Sequence, residues 1–439
     1  MSSKKVERLL YRKQKITLRN GLSLVWEHRP ASQSVSITCV VGAGSRHDFP
    51  KKEGLAHFVE HMIFRWQRED AVSPLFRSIL ESGGGIDGET GIDTTIFRIY
   101  AHKDDAVDAL RCLARLLSGI PDSAEAAVRE KAILREELNL FGEDEKDHLQ
   151  RVKFRLMGAS EALQHSTGGT HRRIKQLTLE DAHAFHSRYY LANNMILCIV
   201  GNLNVEELRE EMEAIFSSLC SGELEPNPPW QVASGPGIQF NTTAPHCALF
   251  FFFNCPNLRR ESVAAVELLH DLYVGTQHAR LCHRLREEEA VVYMVDTHMG
   301  ISRDYGTMDI FTTTEPKNAA RVVSGVLEEA QALCEKKLPP DEMDRLKNQL
   351  IKGRLLAFEL PFFASEWYAL RDFHLAPDIP SDLVTWRRDI EAVTVEDLTR
   401  TAREIFRPEN TFAYIVGSVN IFRRYRIRKL LRRFSATQG

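Results

Sequence analysis

The sequence predicts an α+β protein made of two homologous α/β sandwich domains, duplicated along the chain. Three observations carry that expectation. The chain has 439 residues, too many for one ordinary domain and suited to two of about 200. An internal repeat is the second. Leu177-Thr-Leu-Glu-Asp181 returns as Val393-Thr-Val-Glu-Asp397, and Ile199-Val-Gly-Asn-Leu-Asn204 as Ile415-Val-Gly-Ser-Val-Asn420, each 216 positions later. That period is too long for a solenoid, so it marks a copied domain. Third, runs of alternating strands are mixed with helical pairs, unlike a regularly alternating parallel sheet.

Composition narrows the class. Hydrophobic residues are 43% and charged residues 27%, which excludes a disordered, collagenous or coiled-coil chain. The longest apolar run, Cys247-Ala-Leu-Phe-Phe-Phe-Phe253, is far short of the roughly 20 residues of a membrane span. A net charge of −3 gives no molecule-wide field for nucleic acid. The 8 cysteines form no C-x-x-C pair and read mostly as buried small hydrophobes. The basic N-terminus has no apolar core and does not read as a secretory signal, so a reducing cytoplasm is expected.

The elements follow in order. Ile16–Val25 and Ser34–Val41 alternate as strands. Glu53–Phe64 has helical periodicity, with Leu55, Val59, Met62 and Ile63 facing a core. A helix over 124–141 stops at Gly142, and Met195–Val200 is a late strand ending at a Gly turn. Pro226, Pro228, Pro229 and Pro236 cluster in a linker. The domains are therefore expected at 1–220 and 237–439, with a linker at 221–236.

Within the first helix, His57, Glu60 and His61 share a face, because i, i+3 and i+4 are neighbours. Two imidazoles one turn apart can bind one zinc ion, with Glu60 between them as a base. This is H-x-x-E-H, an inverted form of H-E-x-x-H. With 16 histidines, chance gives such a pattern about once in twenty chains, and a pair of surface histidines is the plain alternative. In the next helix, Glu130 and Glu137 lie seven apart on an apolar stripe with Ile133 and Leu134 between them. Buried there they need a compensating cation; at the stripe's solvent edge they do not.

These residues together resemble the M16 peptidases, the pitrilysin, insulysin and mitochondrial-processing-peptidase family. Its pattern is H-x-x-E-H followed about 76 residues later by a glutamate within E-x6-E, and His61 to Glu137 fits that spacing. The likeness runs along nearly the whole chain, as a short two-domain subunit. It implies the LuxS/MPP-like metallohydrolase fold, forming half of a clamshell. It implies one zinc per chain held by His57, His61 and Glu137, with Glu60 as general base and Glu130 behind the ligands. It implies an endopeptidase that takes peptides or flexible segments as extended strands inside a dimeric chamber, in processing or peptide maturation. A homodimer is expected, with a heterodimer with a zinc-free relative as the family's other arrangement. Some relatives are non-catalytic scaffold or partner subunits, and those typically lose part of the motif, which is whole here.

The second copy has no H-x-x-E-H, and His270 reads as structural. Its segment Ala279–Tyr293 resembles the family's R-L-x-x-x-L-R-x-x-x-x-x-x-Y run, which implies that Arg286 and Tyr293 reach substrate. Without the resemblance they read as an exposed helix arginine and a packed strand tyrosine. Departures from the family are Arg65-Trp66-Gln67 for Gly-Thr after the helix, Asp87-Gly88 for Asn-Ala, and Ala290 for a glycine. Asp87 can change the charge preference for substrate. Finally, Ile421–Phe434 carries seven Lys/Arg and no acid with apolar residues at near-helical spacing. It reads as a docked last helix or as a basic arm for an acidic partner, an anionic membrane or acidic peptides.

Overall fold

The computed structural model describes residues 12–65, 73–140, 145–227, 237–241, 247–255, 260–302, 305–375, 379 and 381–436. Trp66, Gln67, the stop at Gly142 and linker prolines Pro228, Pro229 and Pro236 lie outside them. The chain forms two compact units.

The first unit holds a six-stranded sheet of β1 (Gln14–Thr17), β2 (Ser23–His28), β3 (Ser34–Val41), β4 (Gly85–Thr90), β5 (Thr95–His102) and β6 (Met195–Gly201), in the order β1-β2-β6-β3-β5-β4. The run Ile16–Val25, expected as one strand, is two. It turns at Asn20-Gly21, where Gly21 has φ +86, and β1 pairs back on β2. Alternation in β3 sends Val35, Ile37, Cys39 and Val41 into the core, packed with the helices Leu55–Phe64, Ala106–Leu117 and Leu179–Tyr189. Ser36 and Thr38 point the other way, and each is 2.9 Å from Ser365 Oγ on the helix Pro361–His374. Tyr368 of that helix donates to the buried Glu27 carboxylate at 2.7 Å.

The second unit holds β7 (Gly237–Asn241), β8 (Cys247–Asn254), β9 (Val295–Ile301), β10 (Gly306–Thr314) and β11 (Thr411–Val416), in the order β7-β11-β8-β10-β9. This reproduces β2-β6-β3-β5-β4, with the first pair parallel and the other three antiparallel in both sheets. The duplication read from the repeat is thus a duplicated topology. The repeated T-x-E-D is a repeated capping box: Thr178 with Asp181, and Thr394 with Asp397, each cap a helix start reciprocally.

The units are not linear in the chain, as the sequence boundaries had them. The first comprises residues 1–151, 160–229 and 356–373; the second comprises 152–159, 230–355 and 374–439. The physical reason is polar satisfaction. Ser365 and Tyr368 serve buried groups of the first sheet, as above. In the second unit, Lys153 donates to Thr307 at 2.8 Å and to Asp309 at 2.6 Å on β10. A buried polar group without a partner costs about 1–3 kcal/mol, so these segments stay where their partners are.

Seven cysteines are buried, Cys220 is exposed and all are free. The last helix, Ile421–Ala436, docks through Ile427, Leu431 and Phe434 and packs on the helix Ala319–Glu335. No described helix is long and apolar enough to cross a membrane.

Buried His186 gives a test of the first core. Burial pushes its pKa down from 6.5 to about 4, against the opposing bond to the Leu117 carbonyl. The unfolded chain then binds the extra proton, so this residue's stability term is full above pH 6.5 and is lost progressively down to about pH 4. Urea titrations of His186→Gln should show a shallower acid loss than wild type. Parallel pH profiles would show that His186 is not buried neutral.

Candidate metal and catalytic site

The helix Leu55–Phe64 buries Leu55, Phe58, Val59, Met62 and Ile63 completely. That fixes its rotation and turns the face of His57, Glu60 and His61 away from the core centre. Its start is held from upstream: the buried Asp48 carboxylate accepts from Gly54 N at 2.7 Å and Ala56 N at 2.8 Å. Burial raises the Asp48 pKa more strongly than those backbone bonds lower it. Asp48 went unread in the sequence because its partners lie six and eight residues on, outside the usual N-cap spacing.

The helix Ala124–Leu140 brings the glutamates to the same place. His57 Nε2 lies 3.9 Å and His61 Nε2 3.6 Å from Glu137 Oε2, and the three donors fall within 4.8 Å of one another. Glu130 is buried and bonds His61 Nδ1 at 3.1 Å. Its other oxygen pairs with Arg65 Nε. Ile133 does not share the buried stripe; it is 41% exposed, while Leu134 is 2% exposed. The stripe runs through Ala127, Glu130 and Leu134, with Glu137 at its edge, because 3.6 residues per turn carries position 133 off it.

The charges follow from burial. His57 is pushed down to about 3 by burial and then by neighbouring His61, so it is neutral. Its buried Nδ1 has no hydrogen-bond partner among the described residues. For His61, burial pulls the pKa down, but the Glu130 bond and the charges of Glu137 and Glu60 outweigh it and the net shift is upward. Burial raises Glu60, although the Thr90 hydroxyl donates to its Oε2 and opposes the shift. Tetrahedral zinc with bonds of about 2.0–2.1 Å separates its ligand atoms by roughly 3.4 Å. Two imidazole nitrogens and a carboxylate oxygen at the spacings found here fit that ion.

Beside Glu60 runs β4, an edge strand of its sheet. Thr90 is its contact to the carboxylate, and Gly88 leaves room: a Cβ there would sit 2.5 Å from the Phe64 ring and 2.9 Å from Glu60 Oε1. A glycine at position 88 therefore has a local steric reason in this chain. Asp87 is on the strand's other face, where Arg98 binds Asp87 at 3.3 Å, Glu89 at 2.7 Å and Glu366 at 2.7 Å.

In the second unit, Tyr293 is 82% exposed rather than packed, and the Arg286 guanidinium lies 5.9 Å from its ring centroid. Ala290, between them in sequence, has φ +49, a left-handed conformation that costs a side-chain-bearing residue about 1–2 kcal/mol. His270 bonds Thr297 Oγ1 at 2.9 Å, as a structural histidine does.

Arg65 and Glu130 can be tested as a buried pair. Glu130→Ala alone should destabilise the protein by about 3–5 kcal/mol, because it leaves a buried guanidinium uncompensated. Replacing both with Met should cost much less. Equal losses in denaturant titrations would mean that the pair is not electrostatically coupled.

The chain thus has a duplicated α+β fold in which a cluster that could hold a metal ion lies, among the described residues, in the first copy only. Residues 23–167 match the family model for insulinase, peptidase family M16, and residues 176–350 match that for the peptidase M16 inactive domain. The chain belongs to the M16 peptidase family. A protein described as an uncharacterized zinc protease from Rickettsia felis is 25% identical over 403 residues, 91% of this chain and 96% of that protein. The probable mitochondrial-processing peptidase subunit beta of Schizosaccharomyces pombe is 29% identical over 215 residues, 48% of this chain and 45% of that protein. A protease from Helicobacter pylori shares the fold at TM-score 0.81 and 18% identity, covering 93% of this chain and all of that one.

Proposed function

We propose that this protein is a zinc-dependent endopeptidase that hydrolyses peptides or flexible protein segments. The observation that carries the reading is a buried glutamate, Glu60, beside a cluster of two imidazoles and a carboxylate and in contact with an edge strand. His57, His61 and Glu137 would hold the ion, and Glu130 would orient His61 through Nδ1. Bound there, zinc supplies a Lewis acid that activates water near neutral pH and polarises a carbonyl. Glu60 accepts the proton of the attacking water and passes it to the leaving amine. The substrate backbone adds to β4 as a further strand, so main-chain groups supply affinity and the Thr90–Gly88 face sets the scissile bond near Glu60.

Cleavage of a quenched peptide library, with purified metal content measured in parallel, tests this. Activity should disappear with chelator and return with zinc. A zinc-loaded protein that cleaves nothing would leave the chain as a scaffold or partner subunit.

The chain is proposed to work as a homodimer in which the Arg286–Tyr293 pair donates to the substrate carbonyl at the partner's site. A guanidinium and a phenol are suited to a developing oxyanion. Tyr293→Phe and Arg286→Ala should then cut turnover without lowering metal content. Mixing Glu60→Gln chains with Tyr293→Phe chains should restore activity, because one site of the mixed dimer keeps both groups. A proven mixed dimer without rescue would remove the cross-chain assignment.

A further inference from the structure

We propose that the solvent face of the C-terminal helix Ile421–Ala436 is a docking surface for an anionic membrane. At 3.6 residues per turn, Ile421, Tyr425, Lys429 and Arg432 fall in one stripe, with Phe422 and Arg426 along its side. All six are exposed, and Phe422, Ile421 and Tyr425 are 82%, 75% and 67% exposed. The opposite face, Ile427, Leu431 and Phe434, is already used for packing. The exposed apolar groups are therefore surplus to docking the helix on its own unit.

The charge on this face is also unspent. Arg424 and Arg428 stack on Phe240, at 5.3 and 5.1 Å from its ring centroid. Arg426, Lys429 and Arg432 have no carboxylate partner among the described residues. Elsewhere on the surface exposed cations are commonly paired, as Arg111 is with Asp108 and Glu211.

An acidic protein segment would need only the cations. Aromatic and aliphatic side chains interleaved with cations on one face are the composition of a helix lying in a lipid interface. There the rings enter the headgroup boundary and the cations meet anionic lipid. The helix has no stretch that could span the bilayer, so the contact is peripheral.

Flotation of the full-length protein with vesicles decides it. Neutral phosphatidylcholine vesicles are compared with vesicles containing one third phosphatidylglycerol. Wild type should float with the anionic vesicles only, and should be released in 1 M salt, where the Debye length falls to about 3 Å. Two variants should each lose binding by roughly tenfold or more: Arg426→Glu with Lys429→Glu and Arg432→Glu, and Phe422→Ser with Tyr425→Ser. Both alter exposed positions, and unchanged circular-dichroism melts verify the fold. No flotation by wild type, equal flotation with neutral vesicles, or binding kept by both variants would overturn the proposal. Binding to polyglutamate without flotation, insensitive to Phe422 and Tyr425, would overturn it in favour of an acidic protein partner.

Discussion

Glu60→Gln is expected to lower peptide turnover by about 10²–10⁴-fold while the fold and the bound metal are kept. Gln fills the same space, and its amide oxygen can still accept the Thr90 hydroxyl that now reaches Oε2. It cannot take a proton from water. Because Glu60 is only 7% exposed and burial raises its pKa, removing the charge relieves desolvation. The melting temperature should hold or rise. A variant keeping more than about a tenth of the wild-type rate would exclude Glu60 as the base.

His57→Ala is expected to fail one step earlier, by losing the metal. His61 and Glu137 remain, and two donors do not make a closed zinc site. The structure adds a separating control. His57 makes no hydrogen bond through Nδ1 among the described residues, so the metal-free variant should melt close to the metal-free wild type. What should vanish is the added stability that ligand gives the native state, RT ln(1 + [L]/Kd). Zinc content equal to wild type after dialysis would refute the ligand assignment.

The sequence was most legible where chemistry and periodicity coincide. H-x-x-E-H is readable because a helix brings i, i+3 and i+4 together, and every core residue expected on that helix is buried. The duplication was readable because the capping boxes and the strand ends at Gly201 and Gly417 need particular side chains or none. Ile133 lies off the stripe because it is about 100° round the helix from buried Leu134, on the side where half-buried Glu137 already marks the stripe's edge. The strand over Ile16–Val25 failed at Asn20-Gly21, a turn signal inside an alternating run. The partners of Arg65 and Asp48, the space at Gly88, and the ownership of residues 152–159 and 356–373 are non-local and leave no periodic trace.

That last ownership sets an order of events during synthesis. The first unit contains residues 356–373, so it is incomplete until the ribosome has added nearly the whole chain. Until then Ser36 and Thr38 lack Ser365, and buried Glu27 lacks Tyr368. The motif helix and all six strands of its sheet are made by residue 201, but the helix Pro361–His374 that covers the sheet's other polar groups comes about 160 residues later. A chain that stops before residue 356 therefore carries His57, His61 and Glu137 without the completed unit in which they sit.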